Sequence, residues 1–281
     1  MNNSTLLEST RPLFCYISLR WHLNVLDKSG VDYTQVHMKL LIMAFLLCTV
    51  SGKAQEGWRS LFDGRTLEGW MWSTLAKPPP PSWAVADGLL QTTPGQGQPV
   101  YLITRESFAD FDFSFEWKTE AGGNSGVKYR FQGYWVDGKN RPAPEGQTIE
   151  PIALEYQLAD DEHNPDAVGD VKRSTASIYA YWAPKKDGPT RAGVWHSSRI
   201  VTRGTHIEHW LDGRKVVDVD LDSTELQKAF QESNRKGPLR IGAPDRGREG
   251  PLLARQERRD SPIALQFHGR TVWFRNLKIR R

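Results

Sequence analysis

The chain has 281 residues, and its 37 Lys and Arg against 33 Asp and Glu give a formal net charge of +4. A charge this close to neutral argues against a nucleic-acid partner, which selects for a strongly basic surface. The two cysteines, Cys15 and Cys48, both lie in the N-terminal part of the chain, before an expected cleavage site. The chain after this site contains no cysteine, so disulfides and thiol chemistry play no part in its function.

The N-terminal region has the parts of a secretory signal peptide. Lys39 precedes the apolar run 40–47, and the small residues Gly52 and Ala54 follow it. A basic residue, a short apolar core and small residues before a junction predict export, with cleavage after Ala54, to the periplasm or the medium. The apolar run is too short for a membrane span of about 20 residues, so we expect no stable span in the mature protein.

A signal peptide should begin its chain, yet this one begins at Met38. We interpret Met38 as the true initiator and residues 1–37 as a leader that results from a misplaced start codon. Residues 38–54 are then the signal peptide. The alternatives are a signal anchor with a short cytoplasmic tail and a lipoprotein anchored at Cys48, which the bulky residues before Cys48 disfavour. The remainder, 55–281, has the length of one β-sandwich or barrel domain.

Segments in which apolar and polar residues alternate dominate this remainder, and that period predicts strands with one buried face. They are 111–117, 126–131, 152–158, 176–182, 195–202, 206–211, 215–219, 263–267 and 271–279. Asp212-Gly213 between two of them predicts a hairpin. Helical spacing is limited to 223–232, whereas 77–82 and the charged stretch 242–260 are predicted loops. The pattern indicates an all-β, jelly-roll sandwich with one short helix.

One predicted strand carries a polar face and ends in an acidic run. On 152–158, Glu155 and Gln157 share one face, either as the lining of a concave site or as an ordinary solvated face. The strand leads into Asp160 and on to His163. Such a cluster offers ligands to a divalent cation, Ca²⁺ or a transition metal, but no full ligand loop is visible, so no cofactor is assigned with certainty.

Other polar side chains could join Glu155 at a site. Asn124 lies in a glycine-rich turn before a strand that carries Lys128 and Arg130, and Arg130 could orient a hydroxyl, a carbonyl or Glu155. The alternative is an ordinary hairpin with exposed cations.

Two histidines are candidates for proton transfer. His268 follows Gln266 at a predicted turn, which suits a general acid or base. His209 lies inside a predicted strand, where a structural role is the alternative. Several aromatic residues could present flat faces to sugar C–H groups, although most of them should fill the core: Trp135, Tyr179, Tyr181, Trp182, Trp195 and Trp210.

The motifs, in their order along the chain, resemble the 3-keto-disaccharide hydrolase domain family. They are WRSLFDGRTLEGW at 58–70, WAVADGLL at 83–90, GNSGV at 123–127, EYQLADD at 155–161, HWLDG at 209–213, PIALQFHG at 262–269 and FRNL at 274–277. The resemblance covers essentially the whole predicted domain. It implies a concanavalin-like, laminin-G-like jelly roll and an exported bacterial enzyme that cleaves sugars already oxidised at C3. Phe267 stands where the family motif often has an acidic residue, whereas Gln266 and His268 remain.

Cleavage beside a C3 ketone can proceed by removal of the C2 proton, loss of the C1 aglycone and addition of water. That route needs a base, donors for the enolate oxygen and an acid for the leaving group. Glu155 and His268 are the candidates for base and acid, in an order that the sequence leaves open. Arg130, Gln157 or a bound metal would stabilise the enolate.

Asn124, Asp160, Trp182, His209 and Gln266 are the further predicted substrate contacts. The expected partner is a carbohydrate, and the oligomeric state is not predicted. The alternative function is a non-catalytic carbohydrate-binding or adhesion module of the same fold.

Overall fold

The computed structural model describes residues 57–73, 82–94, 101–136, 139–140, 150–233 and 249–281. The predicted leader 1–37, the predicted signal peptide 38–54 and most of the proline-rich loop 77–82 lie outside these residues. Among the helices that the structure describes, none is long and apolar enough to cross a membrane.

The described residues form fourteen strands, numbered here in chain order. They are β1 (Arg59–Ser60), β2 (Trp70–Trp72), β3 (Trp83–Ala86), β4 (Leu89–Thr92), β5 (Leu102–Thr104), β6 (Phe111–Thr119), β7 (Asn124–Val136), β8 (Lys139–Asn140), β9 (Glu150–Ala159), β10 (His196–Arg203), β11 (His206–Leu211), β12 (Arg214–Asp220), β13 (Ala264–Leu265) and β14 (Val272–Arg280). Two α-helices lie between β12 and β13 in the described part of the chain: α1 (Thr224–Ser233) and α2 (Glu249–Arg255).

The strands form two antiparallel sheets. The eight-stranded sheet has the order β12-β11-β10-β6-β14-β4-β3, and β1 also pairs with β14. The six-stranded sheet has the order β2-β5-β13-β7, and both β8 and β9 pair with β7. The all-β sandwich expected from the sequence is therefore confirmed.

The core lies between the two sheets and follows from the period-2 pattern. Phe113, Phe115 and Trp117 point inward from β6, and Tyr129 and Tyr156 point inward from the six-stranded sheet, all within one buried cluster. The rings of Phe115 and Tyr156 pack edge to face with centroids 5.8 Å apart. Aromatic pairs in this arrangement add to the stabilisation that burial provides. The residues between these core positions on β7 and β9 therefore face outward, away from the eight-stranded sheet.

Two predicted elements differ from the structure. The segment 176–182 is not a regular strand: Ala176 and Ala180 have φ values of 70° and 67°, which break the extended conformation. It nevertheless follows the edge of β9, since the amide of Tyr179 donates to the carbonyl of Glu155 at 3.0 Å. The charged stretch predicted as a loop contains helix α2, which forms because Leu253 is fully buried in the core.

Candidate active site

The candidate site lies on the outer face of the six-stranded sheet, where β9, β7 and β13 run side by side. In the register, Lys128 on β7 lies opposite Glu155 on β9, and Gly126 lies opposite Gln157. Just past β13, the amide of Gln266 donates to the carbonyl of Gly126 at 2.9 Å. Glu155, Gln157 and Gln266 therefore lie on neighbouring strands, although the alternating pattern on β9 predicted only that Glu155 and Gln157 share a face.

The Glu155 side chain lies across the backbone of Gly126. A side chain at Gly126 would place its Cβ 2.8 Å from both Cγ and Cδ of Glu155, and closer still to Oε1. The other carboxylate oxygen, Oε2, is 3.5 Å from Nζ of Lys128. The carboxylate therefore lies over β7, beside the ammonium group of Lys128.

Lys128 is a buried ammonium with several acidic neighbours. Its Nζ donates to the carbonyl of Pro151 at 3.2 Å, lies 3.6 Å from Oε1 of Glu150 and sits 5.3 Å from the ring centre of Tyr101. Burial alone would lower the pKa of Lys128, but the negative charges of Glu155 and Glu150 raise it above its ordinary value. Lys128 is therefore a permanent cation at neutral pH.

Tyr101 completes this side of the site. Its hydroxyl lies 3.4 Å from Oε1 of Glu150 and accepts a hydrogen bond from Nε2 of Gln266 at 3.3 Å. Burial raises the pKa of Tyr101 well above its ordinary value, so the phenol keeps its proton. A protonated phenol can donate to a ligand oxygen or to a carboxylate.

Three buried polar atoms in this region have no hydrogen-bond partner among the described residues: Oε1 of Gln157, Oε1 of Gln266 and Oγ of Ser177. Ser177 lies next to Gln157: the backbone amide of Gln157 donates a hydrogen bond to the backbone carbonyl of Ser177 at 3.3 Å. Buried polar atoms in folded proteins almost always have a partner. These three atoms are therefore available for hydrogen bonds with a ligand.

Asn124 and His268 lie at the edges of this arrangement. Oδ1 of Asn124 accepts a hydrogen bond from Nε2 of Gln157 at 3.4 Å, which fixes the amide beside the site. His268 is exposed in the turn that follows Gln266. In the described part of the chain no hydrogen bond joins His268 to Glu155, so His268 is near the site in sequence rather than coupled to it by contact.

Arg130, predicted to orient Glu155 or the substrate, is turned away from the site. Its φ of 55° belongs to a bulge after Tyr129, where the register of β7 and β9 shifts. The bulge places Nη2 of Arg130 against the carbonyl of Gly204, in the turn between β10 and β11, and 3.8 Å from Oδ1 of Asp110. The cation beside Glu155 is therefore Lys128 and not Arg130.

His209, the other predicted histidine, is completely buried between the sheets. Its Nδ1 lies 2.9 Å from the carbonyl of Ala176, and its Nε2 lies 2.7 Å from the hydroxyl of Tyr129. Since a carbonyl only accepts, Nδ1 donates to Ala176 and Nε2 accepts from Tyr129. Burial lowers the pKa of His209 to about 4. This histidine is neutral and belongs to the core, not to the site.

Asp160 supports a loop. Its Oδ2 accepts from the amide of Gly122 at 2.8 Å, and its Oδ1 accepts from the amide of Glu162 at 3.2 Å. Asp160, Glu162 and His163 have ligand atoms within 4.8 Å of one another, but Arg191 already pairs with Glu162 at 3.2 Å. Backbone capping and this ion pair account for the cluster, and a divalent cation here stays a prediction.

Trp182, a predicted sugar contact, is partly buried and packs against the core. The residues that the sequence reasoning missed are Tyr101, Lys128 and Glu150. Lys128 had a usable signal, since it shares the period-2 face of Gly126 on β7. Tyr101 and Glu150 had none, because only the pairing of distant strands brings them to Lys128.

Comparisons with known proteins agree with this fold. A 3-keto-disaccharide hydrolase of Bacteroides thetaiotaomicron is 29% identical over 241 residues, which are 80% of this chain and 78% of that protein. Two solved structures from Parabacteroides distasonis, provisionally assigned as glycosyl hydrolases, are each 24% identical and show the fold alone. The match to the first covers 81% of this chain and 94% of that structure's chain, with a TM-score of 0.59. The match to the second covers 80% of this chain and 98% of that structure's chain, with a TM-score of 0.54.

The family comparison covers the folded part of the chain almost completely. The family model described as the 3-keto-alpha-glucoside-1,2-lyase-like domain matches residues 57–280, which include every strand described above. On this match, the chain belongs to the 3-keto-alpha-glucoside-1,2-lyase-like domain family.

Proposed function

We propose that this protein cleaves the glycosidic bond of sugars that carry a ketone at C3. The observation that carries the proposal is the buried pair of Glu155 and Lys128, 3.5 Å apart. On the same sheet, the side-chain oxygens of Gln157 and Gln266 have no hydrogen-bond partner among the residues that the structure describes. A carboxylate base next to a fixed cation is what proton removal beside a ketone requires. The family and the name of the Bacteroides relative support this substrate class.

The chemistry follows from the acidity of the C2 proton beside the C3 ketone. Glu155 takes this proton, and the electron pair of the C2–H bond forms the C2–C3 double bond as the C3 oxygen becomes an enolate. Lys128 stabilises the negative charge on that oxygen. The ketone then re-forms, the C1–C2 double bond is made, and the C1–O bond to the aglycone breaks. Water adds its hydroxyl to C1 and its proton to C2, so the net reaction is hydrolysis.

The aglycone oxygen must take up a proton as it leaves. Glu155, protonated by the first step, can return its proton, and His268 is the second candidate because it is exposed two residues after Gln266. The hydroxyl groups of the sugar would supply the hydrogen bonds that Gln157 and Gln266 lack in the described structure. The amides would thus hold the ring while the carboxylate and the ammonium act on C2 and the C3 oxygen.

The test compares a p-nitrophenyl 3-keto-α-glucoside with its unoxidised parent, in D₂O and with a set of divalent cations. We expect cleavage of the keto sugar alone, with deuterium from the solvent at C2 of the product. Equal cleavage of the parent, or a product without deuterium at C2, contradicts the elimination route. Binding of the keto sugar without any turnover favours a carbohydrate-binding module instead.

The protein is further proposed to be exported, because residues 38–54 have the composition of a signal peptide. The check is the N-terminal sequence of the protein recovered from cells that express the gene. A mature chain that begins at Gln55 supports export, whereas a chain that keeps residues 38–54 contradicts cleavage after Ala54.

A further inference from the structure

We propose that Gly126 is a positioning residue: because it has no side chain, the Glu155 carboxylate can lie over β7 at the site. The proposal rests on the function proposed above, in which Glu155 is the base. It concerns the placement of that base and not a contact with the substrate.

Gly126 needs to be glycine for space and not for backbone conformation. It lies within β7 in a regular pairing with Gln157 on β9, and it is not among the glycines with a positive φ. An extended strand accepts any residue in this conformation, and glycine weakens a strand interior. A glycine in such a place commonly marks the close approach of another group.

The group that approaches is Glu155. The three atoms nearest to a Cβ at Gly126 are Oε1, Cδ and Cγ of Glu155, with Cδ and Cγ at 2.8 Å. Real Cβ atoms essentially never lie that close to another heavy atom, so an alanine here forces the Glu155 side chain to move. Asn124 and Lys128, two residues to either side on the same face, do carry side chains. The gap is therefore local to the carboxylate.

Displacement of this side chain would change the chemistry of the base. With its side chain flat across Gly126, Glu155 has its Oε2 3.5 Å from Nζ of Lys128. Lifted from the sheet, the carboxylate moves away from its cation and out of line with the bound ring. A displacement of a reacting group by about 1 Å can lower a rate by about 100-fold. A carboxylate that loses its neighbouring cation is also harder to ionise.

The kinetic test is Gly126→Ala with the p-nitrophenyl 3-keto-α-glucoside. We expect kcat to fall by about 100-fold, with KM little changed and the acidic limb of the pH profile moved upward. A purely structural role would leave that limb in place. A folded variant with wild-type kcat, or with a reduced kcat and an unmoved limb, overturns the proposal.

A second measurement needs no activity. Thermal unfolding of wild type, G126A, E155A and G126A/E155A forms a double-mutant cycle. We expect G126A to lower Tm in the wild-type background and to have little effect when residue 155 is Ala. If G126A alone does not fold, recovery of folded protein in the double variant gives the same answer. Equal losses of Tm in both backgrounds, or a double variant that also fails to fold, overturn the proposal.

The two proposals fail in different ways. If wild type does not cleave the keto sugar, the proposed function is wrong, while the unfolding cycle still reports whether Gly126 makes room for Glu155. If wild type cleaves the sugar and the cycle shows no coupling, the function stands and the positioning role of Gly126 is wrong.

Discussion

Nζ of Lys128 lies 3.5 Å from Oε2 of Glu155 across the paired strands β7 and β9. The same ammonium is 3.6 Å from Oε1 of Glu150, so one buried cation is shared by two carboxylates. In an elimination beside a ketone, this arrangement supplies both a base and a positive charge for the enolate oxygen.

Replacement of Lys128 tests the role of the cation. In Lys128→Met the enolate loses its counter-charge, and we expect kcat on a 3-keto glucoside to fall by about 10²–10³-fold. The acidic limb of the pH profile should move upward, because Glu155 is then harder to ionise next to Glu150. The assay is run below the unfolding temperature of the variant, since loss of one partner of a buried ion pair is strongly destabilising. Lys118→Met on the eight-stranded sheet is the matched control, and equal losses in both variants contradict the role.

Replacement of Glu155 tests the base itself. Glu155→Gln keeps the shape of the side chain but cannot take a proton, so kcat should fall by about 10²–10⁴-fold while binding of the keto sugar persists. Exchange of the C2 proton in D₂O should fall in parallel. The control is Glu116→Gln, whose carboxylate pairs with Arg275 at 2.7 Å on the other sheet. Proton exchange in E155Q at the wild-type rate would exclude Glu155 as the base.

His209 predicts a stability that depends on pH. Its pKa is about 4 in the folded protein and 6.5 in the reference state, so the unfolded chain binds the proton first as the pH falls. The contribution of neutral His209 is complete above pH 6.5 and is lost as the pH falls toward 4. It amounts to roughly 3 kcal/mol.

The measurement is the free energy of unfolding of wild type and His209→Gln over this pH range. The advantage of wild type over the variant should shrink with falling pH, because glutamine does not titrate. The variant should keep its activity at neutral pH when folded, since His209 lies between the sheets and Glu155 lies on the outer face. A difference that stays constant from neutral pH to pH 4 contradicts a neutral, buried His209.

The polar face of β9 could be predicted from the sequence, because apolar residues alternate strictly with Glu155 and Gln157 and one face must be buried. Arg130 could not be placed in this way. A single left-handed residue at φ 55° forms a bulge and sends the side chain to the turn between β10 and β11, and nothing in the local sequence marks a non-glycine residue for that conformation. The register that sets Lys128 opposite Glu155 is likewise a property of strand pairing, which the period of one strand does not reveal.

Segment 176–182 shows a second limit of pattern reasoning. Its alternation is real, since Ile178 enters the core and bridges to Tyr156. Two alanines with positive φ interrupt it, so a segment with the spacing of a strand follows the sheet edge only in part. Such local exceptions are set by the packing around them, and here they bring Ser177 next to Gln157 at the site.

Substitution of Gln157 or Gln266 should leave the stability of the fold nearly unchanged but weaken substrate binding. Each has a buried Oε1 without a partner in the described structure, and their Nε2 bonds are long, at 3.4 Å and 3.3 Å. Gln157→Leu and Gln266→Leu therefore remove an unsatisfied atom along with a weak bond. The free energy of unfolding should change by less than about 1 kcal/mol.

Substrate binding, in contrast, should become weaker in both variants. If these oxygens accept hydrogen bonds from sugar hydroxyls, each change raises KM for the 3-keto glucoside by about tenfold, the effect of one lost hydrogen bond. Gln132 is the matched control: its amide donates to the carbonyl of Arg258 at 2.7 Å and accepts from the Arg258 amide at 3.1 Å, outside the site. Gln132→Leu should lower stability and leave KM unchanged. A fall in stability without a rise in KM in the two site variants would mean that these amides serve the fold and not the substrate.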